Sequence, residues 1–280
     1  MLRGLPVRVL DDRDVAVVTE LLDRDPVANV FVSARVESAG LDPWRLGAEV
    51  WGYVSGGRVV ALCYAGANLV PVSAGPEACR GFADKARRQG RRCSSIVGLA
   101  DQVGTLWSLL EATWGPPRDV RANQPLMAIS DPPLIAPDPL VRRVRPDELE
   151  ILYPACVAMF TEEVGVSPAN GDGGSLYRAR VGELIGQGRA FARIEDGRVV
   201  FKAEIGAATA YACQIQGVWV EPALRGRGYS NGGMAAVVAH AQADVAPVVS
   251  LYVNDYNIAA RASYTRVGFA EVGSFMSVLF

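Results

Sequence analysis

One strand–turn–helix stretch, Val218 to Asn231 (VWVEPALRGRGYSN), holds residues whose types and spacing suit chemistry. Val218, Trp219 and Val220 carry side chains that strands favour. Glu221-Pro222 ends the pairing, because proline gives a ladder no N–H. Gly226 and Gly228 then lie in a loop with Arg225 and Arg227, and Ser230, Met234, Val237, Val238 and Ala241 form one face of a following helix. Glycines let an anion reach backbone N–H groups, and a helix N-terminus aims those groups outward. The stretch reads as a phosphate-binding turn. It is not a Walker loop, for no Gly-Lys-Ser/Thr follows, nor the dinucleotide G-x-G-x-x-G, for position 231 is Asn. Further on, Asn257 and Tyr264 stand two helical turns apart, on one face.

The whole chain sets limits on that chemistry. Its 280 residues make one large domain or two ordinary ones, and with 50% hydrophobic residues it can bury a substantial core. A net charge of −2 argues against nucleic-acid and membrane-surface partners. The 5 cysteines are scattered without a C-x-x-C, as expected of reduced, buried thiols in a cytoplasmic protein. The opening MLRGLPVRVLDDRD is no signal peptide, and no uncharged apolar run is long enough for a membrane span. A single histidine, His240, falls mid-helix and reads as structural, so no metal site is expected.

The elements that must position these residues follow an α/β pattern. The first half reads strand (Val7–Leu10), helix, a hairpin (Val50–Tyr53 and Val59–Tyr64), a strand (Asn68–Val72), a helix (Pro76–Gln89), a strand (Ser95–Leu99), a helix to Trp114 and a strand (Leu126–Ile129). The segment Asp131–Pro139 has the composition of a semi-rigid linker. Beyond it the order repeats, and Gly57-Arg58-Val59-Val60 returns as Gly197-Arg198-Val199-Val200. The division is therefore residues 1–130, a linker over 131–140 and residues 141–280. In the last part, Pro168–Ser175 reads as a loop, Thr209–Val220 as one long strand, and Phe269–Phe280 as the final strand.

At the loop the chain resembles the GNAT superfamily of N-acetyltransferases, whose acetyl-CoA signature is R/Q-x-x-G-x-G/A after a strand. Here it stands as Arg225-Gly226-Arg227-Gly228-Tyr229-Ser230, with Ser at the last place. A second GNAT pattern, N-x-x-A-x-x-x-Y-x-x-x-G-F, is matched at Asn257, Ala260, Tyr264, Gly268 and Phe269. The resemblance covers residues 141–280. It implies two GNAT-like domains of α/β (α+β) class, each a mixed, mostly antiparallel twisted sheet flanked by helices. The first is degenerate, since Pro71–Pro76 takes the place of a glycine-arginine loop.

That resemblance implies transfer of an acetyl group from acetyl-CoA, as co-substrate, to a small-molecule or protein amine. Val218, Trp219 and Val220 would receive the pantetheine arm through their backbone, with the Trp219 side chain packing on the opposite face. Arg225, Gly226, Arg227, Gly228, Tyr229, Ser230 and Asn231 would hold the pyrophosphate, and Asn257 would contact CoA. Tyr264 would be the general acid. The general base stays open among Glu162, Glu163 and Glu204, with Glu221 a further carboxylate at the strand end. Gln214 and Gln216 would orient the acceptor, which the segment Thr161–Tyr177 would border. The alternative is a non-catalytic acetyl-CoA-binding regulatory module.

Overall fold

A computed structural model describes residues 6–170 and 174–280. Residues 171–173 of the loop expected over Pro168–Ser175 lie outside the described residues. The chain opens with β1 (Val7–Val9) and a capped turn in which Asp11 and Asp14 satisfy each other's backbone N–H groups. Helix α1 (Val15–Leu22) follows and buries Val18, Leu21 and Leu22. Helix α2 (Val30–Ala39) and one turn, α3 (Pro43–Leu46), lead into the antiparallel meander β2 (Glu49–Ser55), β3 (Arg58–Ala65) and β4 (Asn68–Val72). Then come α4 (Pro76–Gln89), β5 (Ser95–Leu99), α5 (Ala100–Trp114) and β6 (Asp119–Ile129). Strand β6 starts ahead of its apolar residues, because the Arg118 N–H already donates to the Leu279 carbonyl at 2.8 Å.

The second half runs β7 (Arg142–Arg143), α6 (Leu149–Val164), α7 (Ser175–Gly186), β8 (Ala190–Glu195), β9 (Arg198–Ala208), β10 (Ala212–Val220), α8 (Tyr229–Asp244), β11 (Val248–Tyr252), α9 (Ile258–Val267) and β12 (Ala270–Leu279). The single strand expected over Thr209–Val220 is preceded by a turn. The Thr209 hydroxyl accepts from the N–H groups of Tyr211 at 3.2 Å and Ala212 at 3.1 Å, which reverses the chain between β9 and β10.

The chain forms two compact units that interleave in sequence. One comprises Met1–Leu126, Tyr252–Tyr256 and Glu271–Phe280; the other comprises Met127–Leu251 and Asn257–Ala270. In the first, strands lie in the order β1-β2-β3-β4-β5-β12, all antiparallel except the parallel pair β4–β5. Strand β12 was expected with the second half. It pairs instead with β5, Phe275 opposite Leu99 through Leu279 opposite Ser95, because β5 offers it an antiparallel edge. Both faces of this sheet are covered. Strand β3 sends Ala61 and Cys63 into the core under α4 and α5, and Leu62 and Tyr64 into the core under α1 and α2.

In the second unit the order is β11-β10-β9-β8-β7, antiparallel except β10–β11. Helices α6 and α7 cover one face through Leu152, Cys156, Met159, Val181 and Leu184, packed with Trp219. The proline-rich segment is irregular but tied down. The Leu134 N–H donates to the Val267 carbonyl at 2.9 Å, the Asp138 N–H to the Gly232 carbonyl at 3.0 Å, and Arg193 pairs with the Asp138 carboxylate at 2.8 Å. In each unit the strand pairing is mixed and mostly antiparallel with flanking helices, the α/β (α+β) class expected. Among the described residues no helix is long and apolar enough to cross a membrane.

The entry to α6 is fixed by a buried carboxylate. Glu148, 4% exposed, accepts two bonds from the Arg142 guanidinium, both at 2.7 Å, and one from the Arg145 N–H at 2.8 Å. The Arg142 bonds, helped by that N–H and by the two arginine charges, hold its carboxyl at about 2. A lowered pKa stabilises the fold above the ordinary carboxyl range, and the stabilisation fades as pH falls through that range toward the folded value. Glu148→Gln is expected to unfold about 2 kcal/mol more easily near pH 7, with the difference shrinking near pH 3. Urea titrations of both proteins at the two pH values test this; a difference that does not change with pH would refute it.

Candidate active site

The site grows out of the pairing of β10. Its N-terminal residues pair with β11, Ala212 opposite Val248 to Gln214 opposite Ser250. The buried Ser250 hydroxyl donates to the Cys213 carbonyl at 3.0 Å within this short ladder. Beyond Gln214 no further β11 pairing occurs, so Ile215–Val220 keep a strand partner only in β9. On the β9 side, Gln216 lies opposite Glu204 and Trp219 opposite Lys202, so β10 advances three residues while β9 advances two. The extra residue makes a bulge, with Gly217 at φ +61°. A Cβ there would stand 3.0 Å from the Glu204 carboxyl carbon and 3.2 Å from Lys202 Nζ, so backbone and space both favour glycine. The bulge puts Gln216 and Trp219 on the same face as Lys202 and Glu204.

After Val220 the chain passes Pro222–Leu224, a short turn, and reaches the loop. Gly226 at φ +77° and Gly228 at φ +87° turn it into α8. Among the described residues, none of the backbone N–H groups from Gly226 to Ser230 has an acceptor, whereas that of Asn231 bonds to the Gly228 carbonyl at 3.0 Å. Five successive donors at the start of a helix make an anion cradle. The Ser230 hydroxyl lies 2.9 Å from that of Ser263, a buried residue of α9, so the side chain ties the two helices together. Tyr229 lies under the Arg193 guanidinium, 4.8 Å from its ring centroid. Arg225 donates to the Val220 carbonyl at 3.1 Å and pairs with Glu162 at 2.7 Å, while Arg227 is exposed and has no ion pair among the described residues.

Asn257 caps α9, its side-chain oxygen accepting from the Ala260 N–H at 3.2 Å. Two turns on, Tyr264 is 6% exposed, with its ring against Phe269. Burial, and then the charge of the Glu163 carboxylate, push its phenol well above the ordinary value. The three candidate bases differ in their surroundings. Glu162, at the end of α6, accepts from the Trp219 indole at 3.3 Å and from Arg225. Glu204 is buried, its Oε2 at 3.3 Å from Lys202 Nζ and its Oε1 at 3.0 Å from Gln216 Nε2. Glu163 is the one whose charge reaches Tyr264. Glu221 is half-buried and bonds through its N–H to the Val200 carbonyl at 3.0 Å.

Comparison with known proteins places the fold in a family. A model of the acetyltransferase (GNAT) family matches residues 149–269, and a domain of unknown function (DUF4081) matches residues 48–152. Residues 149–269 belong to the GNAT family. A GCN5-related N-acetyltransferase from Sphaerobacter thermophilus shares this fold, with a TM-score of 0.62 and 18% identity over 97% of this chain and 93% of its own. A Drosophila protein has a TM-score of 0.68 at 12% identity, over 99% of each chain. A tandem GNAT protein from the clavulanic acid biosynthesis pathway has a TM-score of 0.56 at 16% identity, over 98% of each. Among curated proteins nothing matches the chain. A tandem arrangement with a degenerate first half accords with these likenesses. Before α4 of the first half, the Ala74 N–H donates to the Gln102 side chain at 2.9 Å.

Behind β10, the GNAT domain also carries residues that sequence reasoning passed over. Lys202 is 1% exposed, with its ammonium 3.3 Å from the Cys156 sulfur and 3.3 Å from Glu204. Burial opposes its charge, but Glu204 and Cys156 together hold its pKa above the ordinary value. Tyr177 closes the group from α7, its hydroxyl donating to the Cys156 carbonyl at 3.1 Å. The available signal was Lys202 and Glu204 two apart in the otherwise apolar run Val199–Ile205, which puts both on one buried face. His240 stacks on Phe191 at 5.6 Å, away from these groups. Removing one member of a buried ion pair leaves the other uncompensated. Lys202→Met is therefore expected to lose about 3–5 kcal/mol of stability, and Lys202→Met with Glu204→Gln to recover much of it. Chemical denaturation of the two variants checks this; a double variant as unstable as the sum of both singles would contradict it.

Proposed function

We propose that the GNAT domain transfers an acetyl group from acetyl-CoA to a primary amine, of a small molecule or a protein, by direct attack in a ternary complex. One observation carries the reading: the β10 edge left by β11 runs straight into the N–H cradle at Gly226–Ser230. An extended pantetheine suits the first, through the backbone of Val218, Trp219 and Val220, and a pyrophosphate suits the second. Arg227 is the cation left for phosphate, since Arg225 is held by Glu162. Asn257 keeps its side-chain amide N–H groups for CoA while its oxygen caps α9. A backbone N–H of Val218 or Val220 would steady the oxyanion.

A lysine-like amine is mostly protonated at neutral pH, and freeing it costs roughly 4.6 kcal/mol. In this reading Glu163, directly or through a water, takes the proton as the amine nitrogen bonds to the thioester carbon. Tyr264 then gives its proton to the sulfur as the C–S bond breaks. The pairing is useful because Glu163 is one of two causes holding the Tyr264 proton. Once Glu163 is protonated that repulsion vanishes, and Tyr264 becomes a better acid at the moment a thiolate forms. Glu204, held by Lys202 and Gln216, serves to bind the acceptor.

Acetyl-CoA at 100 times its Kd is expected to stabilise the chain by about 2.7 kcal/mol. Across a panel of primary amines, CoA release by Tyr264→Phe should fall about 10²–10⁴-fold with the acetyl-CoA affinity unchanged. Full turnover by Tyr264→Phe would remove it as the acid. Stabilisation by acetyl-CoA without CoA release for any amine would make the domain a binding module.

A further inference from the structure

The first unit contains a cavity of about 410 Å³, a size suited to a small molecule. It lies beside the start of β2, the turn from β3 into β4 and the end of α4, and Glu49, Trp51, Leu69, Gln89, Arg92 and Trp114 are among its walls. It is not a remnant of an acyl-CoA cleft. Such a cleft would open after the end of β4, at Pro71–Pro76, whereas Leu69 belongs to the beginning of that strand.

The polar groups of the cavity are arranged unequally. Glu49 receives all its donors on one oxygen. The Trp51 indole N–H reaches Oε2 at 2.6 Å, Gln89 Nε2 reaches it at 3.2 Å, and Lys85 Nζ stands 3.8 Å from it. Trp51 is itself 2% exposed and lies under the Lys85 ammonium, 5.1 Å from the ring centroid, so the anchor is rigid. Oε1 has no hydrogen-bond partner among the described residues, and the Glu49 side chain is 34% exposed. Arg92 lines the same cavity, exposed, with no ion pair or hydrogen bond among the described residues. A carboxylate with one open oxygen and a guanidinium whose charge acts on it thus line one pocket with Leu69, Trp51 and Trp114, with no hydrogen bond between them among the described residues.

We propose that this cavity is a second ligand site, which takes a small zwitterion with an apolar body, an apolar α-amino acid in chemical class. Its ammonium meets Glu49 Oε1, its carboxylate meets Arg92, and its side chain lies against Leu69 and Trp114. A ligand with only one charged group would engage either Glu49 Oε1 or Arg92 and forgo the other contact, so full affinity requires both. The site involves no residue of the GNAT domain and stands whether or not that domain transfers acetyl groups.

The indole N–H resonance of Trp51 reports on Glu49 directly, and that of Trp114 reports on the far wall. In the ¹⁵N-labelled full chain, L-phenylalanine, L-leucine or L-methionine should shift both resonances saturably. Phenethylamine and 3-phenylpropionate, each lacking one charge, should bind at least about tenfold more weakly than L-phenylalanine, the loss expected for one charged hydrogen bond. Arg92→Ala, at an exposed position without a partner, should weaken the amino acid by a similar factor and leave the acetyl-CoA stabilisation unchanged. The proposal is overturned if none of the three amino acids shifts either resonance up to about 10 mM, a Kd above which no useful affinity remains. It is equally overturned if phenethylamine binds as tightly as L-phenylalanine, or if Arg92→Ala binds as wild type.

Discussion

The second unit depends on one departure from regular pairing, the loss of β11 beside β10 after Gln214. A central strand with one open edge leaves backbone donors and acceptors that a folded interior would otherwise satisfy. Water or an extended ligand must answer them, and the surrounding structure is arranged to keep the edge open. Ser250 secures the last paired residues from the β11 side. The Gly217 bulge bends β10 from the other side, and the Lys202–Glu204 pair packs close against it, 3.0–3.2 Å from where a Cβ would stand.

The loop at the end of β10 extends the same logic. Its donors stay unanswered while the Ser230 hydroxyl, which could accept, lies against that of Ser263. Arg225, a donor only, turns back to Glu162 and the Val220 carbonyl. In the first unit, Gln102 answers the Ala74 N–H ahead of α4.

Much of this was legible in the sequence. The glycines at 226 and 228 and the apolar periodicity of α1, α4 and α8 are local signals, and the structure places them as read, whereas Asn257, read on one face with Tyr264, caps α9 from outside the helix and is exposed. Ser230 seemed a departure from the acetyl-CoA pattern, but its hydroxyl finds a partner in α9. The rest was hidden because it depends on pairing between strands. A bulge shifts side-chain parity, so simple alternation along β10 could not put Gln216 and Trp219 on one face. The Lys202–Cys156 contact joins positions on β9 and α6, and no local pattern announces it. Nor does alternation within Ala270–Leu279 say which edge the strand joins.

That last strand changes how the molecule can be made. Because β12 completes the sheet of the first unit beside β5, and Tyr252–Tyr256 also belong there, the first unit draws on both ends of the chain. On the ribosome its early residues emerge long before their partner strand has been synthesised, and the open edge of β5 must wait through the whole of the GNAT domain. An exposed strand edge is a template for wrong pairing. Contacts this distant in sequence also form slowly. The N-terminal half is therefore the part of the chain most in need of protection during synthesis, although it is the part that emerges first.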